Sequence, residues 1–290
     1  MSALALLLML AAAPAAPPPA AGPARGEIPV DLSWSRSAVW DDGLAEVARY
    51  DAHRTVYGKD RRFETILITV KEDFDRTRSV KADRTLPGRD LITVLKLNAI
   101  SRIQTENYPY DYLTSVFVRR DDPRTLVKLA GSSQEWCGTT YKEVVTWEGA
   151  PQLRFHSYFD GEGDGAFPID LSGGALLEEQ LALVMRAADL VPGTGYPLRL
   201  FESLVANKAA RPVARSMTVT LAGTERLTTP AGGFQTRRYE IRPAGEPAAE
   251  PAMTFWIDQG PGRALVKQVT GDGRSLELTN VQRRDYWTRR

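Results

Sequence analysis

The amino-acid sequence predicts a mainly β fold, a large curved antiparallel sheet with one central helix packed against its concave or open side. Three observations predict it. From Ala45 onward apolar and polar residues alternate with a period of two, the mark of strands that bury every second side chain. Turn-forming residues punctuate those stretches. A single segment, Ala175 to Leu190, instead spaces Leu177, Leu181 and Val184 as a helix does.

Taken in order, Met1 to Ala13 is apolar and free of charge, too short to span a bilayer and of the length of a secretion signal's apolar region. Ala13-Pro14-Ala15 offers a small-x-small cleavage site, so residues 1–15 are expected to be a signal peptide and 16–38, rich in Pro and Ala at the start, a linker. Residues 39–290 then form the β-rich domain. Its strands include Ile66, Ile68 and Val70 alternating with Leu67, Thr69 and Lys71, then Leu91 to Gln104, Ser133 to Trp147 and Gln152 to Phe159. The helix follows, with Glu178 and Glu179 suiting the positive end of its dipole, Ser172 as a cap and Pro192-Gly193 past its end. After it come Met217 to Leu221, Phe234 to Ile241, Met253 to Asp258, Ala264 to Thr270 and Ser275 to Asp285. Tyr57-Gly58-Lys59-Asp60, Pro87-Gly88, Trp147-Glu148-Gly149, Ala231-Gly232-Gly233, Gly260-Pro261-Gly262 and Gly271-Asp272-Gly273 read as the turns of a meander. If the domain divides, the boundary is expected between Leu190 and Pro212.

Composition narrows the function classes. The 290 residues are 43% hydrophobic and 25% charged, enough to build a core. With 37 basic and 36 acidic residues the net charge is only +1, which argues against a general affinity for nucleic acid. Arg283, Arg284, Arg289 and Arg290 around Tyr286 and Trp287 could make a local anion patch, though terminal charge is usually solvated. Cys137 is the only cysteine, so an internal disulfide is excluded and an acylated mature N-terminus is not expected. No later apolar run is long enough for a transmembrane helix.

Two stretches resemble known families. Asn107-Tyr108-Pro109-Tyr110-Asp111-Tyr112, Ser133-Gln134-Glu135-Trp136-Cys137-Gly138 and Ser157-Tyr158-Phe159 with Glu162-Gly163-Asp164 resemble a group of exported bacterial proteins of unknown function, some labelled septum formation inhibitors. Thr229 to Phe234, Phe255-Trp256-Ile257-Asp258 and Leu276-Glu277-Leu278 resemble the second half of a periplasmic domain of unknown function similar in shape to outer-membrane lipoprotein carriers. That likeness implies a β-clam, an incomplete barrel closed on one side by helix. Neither likeness implies an activity.

Three constellations bear on chemistry. Cys137 and His156 could form a thiol–imidazole pair if the strands joined near Gly149 bring them together, and the thiol would then need nearby positive charge to be reactive. The bland reading is a buried strand cysteine. Asp160, Glu162 and Asp164 alternate with glycines and could wrap calcium, although the full loop pattern is missing and a plain turn is the commoner meaning. Two histidines and one cysteine leave zinc poorly supported. The aromatic group around Tyr108, Tyr110, Trp136 and Tyr158, with Gln134 beside it, is the best candidate ligand surface, because rings with polar tips line grooves as well as cores.

The expectation is therefore an exported periplasmic or extracellular protein, needing no cofactor, that holds a hydrophobic, lipid-like or amphipathic ligand, or an envelope partner chain, in a sheet concavity. A cysteine-dependent enzyme and an interaction module without ligand remain the alternatives.

Overall fold

A computed structural model describes residues 27–83, 87–147 and 149–288. The expected signal peptide, residues 16–26 of the expected linker, Glu148, Arg289 and Arg290 lie outside them. In chain order the strands are β1 (Ala45–Val56), β2 (Lys59–Asp75), β3 (Val80–Lys81), β4 (Leu91–Gln104), β5 (Pro109–Arg119), β6 (Asp122–Glu135), β7 (Gly138–Val145), β8 (Gln152–Ser157), β9 (Gly163–Pro168), β10 (Leu176–Leu177), β11 (Gly195–Phe201), β12 (Ala214–Thr229), β13 (Gly232–Pro243), β14 (Met253–Asp258), β15 (Leu265–Thr270) and β16 (Ser275–Arg284). The helices are α1 (Leu32–Ser35) and α2 (Leu181–Ala187).

All these strands belong to one sheet, ordered β10 to β16, then β1, β2, and β4 to β9, with β3 paired to β2. Apart from the short parallel pair β10–β11, adjacent strands of the sheet pair antiparallel, mostly as a meander, and β16 returns to β1 to join the last third of the chain to the first. Among the described residues β9 and β10 are the free ends of the strand order, so the sheet is open rather than a closed barrel. The Tyr57-Gly58 turn between β1 and β2 takes positive φ at both residues, 53° and 69°, the backbone twist that suits a two-residue hairpin.

A flat sheet this wide would leave one apolar face in water, and strand twist makes wide sheets curl. Bulges add local bends at Arg49/Tyr50, Phe117/Val118, Leu221/Gly223 and Trp256/Ile257. The curl brings Leu67, Leu97 and Val116 from β2, β4 and β5 into one core with Phe255 and Leu278 from β14 and β16. Helix α2 fills the middle. Leu181, Leu183, Val184, Met185, Arg186 and Ala187 are all buried, so this helix is surrounded rather than laid on one face.

Four expectations are corrected. The helix spans seven residues, not Ala175 to Leu190. Leu176 and Leu177 instead pair in parallel with Leu200 and Phe201, and Glu178–Gln180 make a tighter turn before α2 starts. At the other end the N-terminal segment competes for the backbone. Asp31 N–H donates to the Ala187 carbonyl at 2.7 Å, Asp189 N–H donates to Pro29, and Ala188 turns extended to bridge Val30. That segment was expected to be linker, yet Ile28 and Trp34 are buried in the core and Trp34 donates its indole N–H to the Gly262 carbonyl. The stretch 190–212 is no boundary, because Leu198, Leu200 and Phe201 of β11 share the core with Leu153 of β8. The single strand expected over Ser133 to Trp147 is a hairpin, β6 and β7, folded at Trp136-Cys137 with Glu135 opposite Gly138.

Candidate functional site

Between α2 and the inner face of the sheet lies a cavity of about 190 Å³. Side chains in a strand alternate between faces, so β2 offers Phe63, Thr65 and Leu67 to it, β4 offers Leu97, Ala99, Ser101 and Ile103, and β5 offers Tyr112, Thr114 and Val116. Phe255 and Leu276 close the far side. From the helix comes Ala182, the one α2 residue not fully buried, whose single methyl leaves the space open.

One end of this apolar chamber is charged. Arg54, Glu178, Ser203, Val205 and Arg274 line the cavity and also an adjoining cleft of about 920 Å³, so they make up the border, or neck, that the two share. The cleft is more polar, with Glu202, Arg215, Glu246 and Asp272 among its walls. Most of these charges are already matched. Arg274 donates to Glu178 at 2.5 Å and to Asp272 at 2.8 Å, and Arg215 donates to Glu202 at 2.5 Å.

Glu179, beside Glu178, reaches the cavity wall from the turn that precedes α2. Its Oε1 accepts from Ser203 Oγ at 2.8 Å and from the Leu204 N–H at 2.7 Å, while Oε2 is buried without a hydrogen-bond partner. Burial, reinforced by the charge of Glu178, pushes its carboxyl up to about 7. On the same inner face Lys142 is buried, donating to the Leu204 and Ala206 carbonyls, and burial holds its ammonium below the usual lysine value.

The sequence-predicted residues divide around this chamber. Tyr108, Tyr110 and Tyr112 recur at every second position of one chain stretch and stand in a row, with ring centres 5.6 and 6.4 Å apart. Trp136 stacks on the outer end of the row against Tyr108 at 5.7 Å, and Tyr57 meets Tyr110 hydroxyl to hydroxyl at 2.5 Å. The inner end, Tyr112, reaches the cavity, where the Arg54 guanidinium lies 5.8 Å from its ring centre. Gln134 does not join them. It sits opposite Asp111, one residue out of step with Tyr110 and Tyr112, and the alternation turns it to the outer face, where it is exposed. Tyr158 is also exposed, at 77%, its N–H donating to Thr139 and its ring lying against Gly138.

Cys137 is exposed at the tip of the β6–β7 hairpin rather than buried in a strand, and its Sγ contacts the Tyr108 hydroxyl at 2.9 Å. His156 lies in β8 opposite Tyr141, stacks on that ring and pairs through Nδ1 with Asp164 at 3.2 Å. No hydrogen bond joins the thiol to the imidazole among the described residues, since the β7–β8 register puts Thr140 and Ser157, not Cys137, next to that pair. The acids expected to wrap a cation also part company. Glu162 accepts from Ser157 Oγ and Ala209 N–H, Asp164 faces His156, and no cluster of three metal-ligating side chains occurs among the described residues. Arg283 of the terminal basic group is committed to Asp42 at 2.6 Å. No helix among the described residues is long and apolar enough to cross a membrane.

The residues that sequence reasoning missed are Arg54, Arg274 and Phe255. Each is an ordinary strand or turn residue in its own segment. Glu178 and Glu179 carried a signal, two adjacent acids ahead of an apolar run, but it read as a helix-dipole preference rather than as a cavity wall.

No family model matches the chain, and no curated protein matches it. Among solved structures it is similar to the crystal structure of a β-barrel-like protein of a domain of unknown function, DUF1849, from Brucella abortus. The two share 10% identity at a TM-score of 0.47, over 83% of this chain and 98% of that one. A superposition that loose assigns neither family nor function.

Proposed function

We propose that the chain is an exported binding protein for a single-chain amphiphile, with the apolar tail in the cavity and the polar head in the cleft. The observation that carries this reading is the joined pair of spaces, one walled by Phe63, Leu67, Leu97, Ile103, Val116 and Phe255, the other by charged groups, with a neck common to both. A closed cavity of about 150 Å³ lined by aliphatic and aromatic groups already accepts benzene. The 190 Å³ chamber therefore suits one alkyl chain and is too small for two. Ligand sites are mostly apolar with a few polar groups that orient the guest, which is the composition found here.

The test uses a neutral fluorescent probe, N-phenyl-1-naphthylamine. The intact protein is expected to bind it saturably at one site, and dodecanol to displace it. Ala182→Phe, which puts a ring where the helix leaves room, is expected to raise the probe's Kd at least about tenfold while the circular dichroism spectrum stays that of the parent. A probe that does not saturate, or one indifferent to Ala182→Phe, would remove this reading.

Export rests on the uncharged apolar run Met1 to Ala13 and its small-x-small end. Fusing residues 1–30 to alkaline phosphatase, an enzyme that needs disulfides formed outside the cytoplasm, is expected to give active phosphatase in a Gram-negative host. Inactive cytoplasmic fusion would withdraw the export assignment and leave the binding site untouched.

A further inference from the structure

Resting on the amphiphile-binding reading above, we infer that the head group is anionic, a carboxylate or a phosphate, and that Arg54 is the residue that receives it.

Arg54 is the exception among the charges of the neck. Glu178 and Asp272 neutralise Arg274, Glu202 neutralises Arg215, and Ser203 with the Leu204 N–H engages Glu179. Arg54 has no carboxylate partner among the described residues, and its Nε is buried with no hydrogen-bond acceptor. The Tyr112 ring beneath it orients the guanidinium without satisfying any of its donors. Strand alternation explains the position. Tyr50 and Ala52 are buried on β1, and Arg54 continues that face to the rim of the cavity.

A half-buried guanidinium with an orphaned donor, next to an apolar chamber, is a costly arrangement unless something supplies the acceptors. The planar fork matches a carboxylate or phosphate edge with two parallel hydrogen bonds. A cationic head would meet this uncompensated positive charge, and a neutral alcohol would satisfy at most one donor. Glu179 suits an anionic guest as well. Below about pH 7 its carboxyl is mostly neutral, so it adds no repelling charge and its O–H can donate a hydrogen bond from the cavity wall.

The experiment displaces N-phenyl-1-naphthylamine from the intact protein at pH 6 with four chains of equal length, each below its micelle concentration: dodecanoate, dodecyl phosphate, dodecanol and dodecyltrimethylammonium. The two anions are expected to bind about 10- to 100-fold more tightly than dodecanol, and the cation more weakly than dodecanol. Whichever anion binds better identifies the head. Arg54→Met is expected to bring both anions to the affinity that dodecanol shows on the same variant, with a circular dichroism spectrum and urea midpoint that stay those of the parent and so show that the variant is folded. Arg54→Lys, which keeps the charge but loses the fork, should recover only part of the preference. Dodecanol or the cation matching the anions, or an anion preference that survives Arg54→Met, would overturn the head-group assignment while intact probe binding left the amphiphile site standing. Absence of any probe binding would overturn both.

Discussion

Glu46→Ala is expected to lower the unfolding free energy by about 3–5 kcal/mol, read as a shift of the urea midpoint followed by tryptophan fluorescence. The reason lies in where its partner stands. Arg186 is on α2, inside the curled sheet, with only 4% of its side chain exposed. Its two terminal nitrogens grip Glu46 Oε1 and Oε2 at 2.8 Å each, and one of them also donates to the Gly262 carbonyl at 2.6 Å. Trp34 and Trp40 flank the guanidinium, with ring centres 4.8 and 5.5 Å from its carbon. Removing the carboxylate leaves a buried cation that cannot be hydrated without opening the junction of α1, α2 and β1. Arg186→Met should cost a similar amount by stranding Glu46. The double variant Glu46→Leu with Arg186→Met is expected to lose less than either single change, because two well-packed apolar groups need no counter-charge. A single-variant loss below about 1 kcal/mol would mean that water reaches the pair and that the ion pair does not hold the helix in the sheet.

Glu179→Gln is expected to stabilise the protein by about 3 kcal/mol at pH 8 and to leave it unchanged near pH 4. Burial raises this carboxyl from an ordinary value of 4.5 to about 7. Below pH 4.5 the group is protonated in both folded and unfolded chains, so it imposes no penalty there. Between pH 4.5 and 7 the unfolded chain releases the proton and the folded one retains it, so stability falls as pH rises and the deficit is complete above 7. Glutamine keeps an acceptor for Ser203 and Leu204 and never ionises. The difference between the two proteins should therefore grow across this window, measured by urea unfolding at several pH values. A difference independent of pH would show that the carboxyl titrates normally and is solvated. The carboxyls of Asp31, Glu106 and Asp170 are held at about 2 by hydrogen bonds from serine, arginine or lysine. Their contribution is present at neutral pH and is lost only as pH falls below 4, so it does not obscure this window.

The site became legible only in part before folding. Tyr108 and Tyr110 attract notice as rings two residues apart and Trp136 as a ring beside Cys137, and in the structure they stand in one row whose inner end, Tyr112, borders the cavity. Gln134 was drawn in by its neighbours in sequence, whereas strand alternation sends it to the opposite face. Cys137 and His156 are separated by a register that no residue between them announces, because hairpin register depends on turn geometry at Trp136-Cys137 and near Gly149. Arg54 and Glu179 are a long way apart in sequence and border one cavity, a relation that local pattern cannot encode.

What the sequence by itself determined is the extended, alternately buried backbone: β4 and β14 run over the very residues, Leu91–Gln104 and Met253–Asp258, where period-two alternation predicts them. Such periodicity is local, set by which face each side chain must hide. The tertiary structure alone decided how far the sheet curls, that β16 pairs with β1, that α2 stops at Ala187 where the N-terminal segment takes its carbonyl, and which charges at the neck find partners. Those outcomes follow from contacts between distant segments, and their free energy exists only once the segments have met.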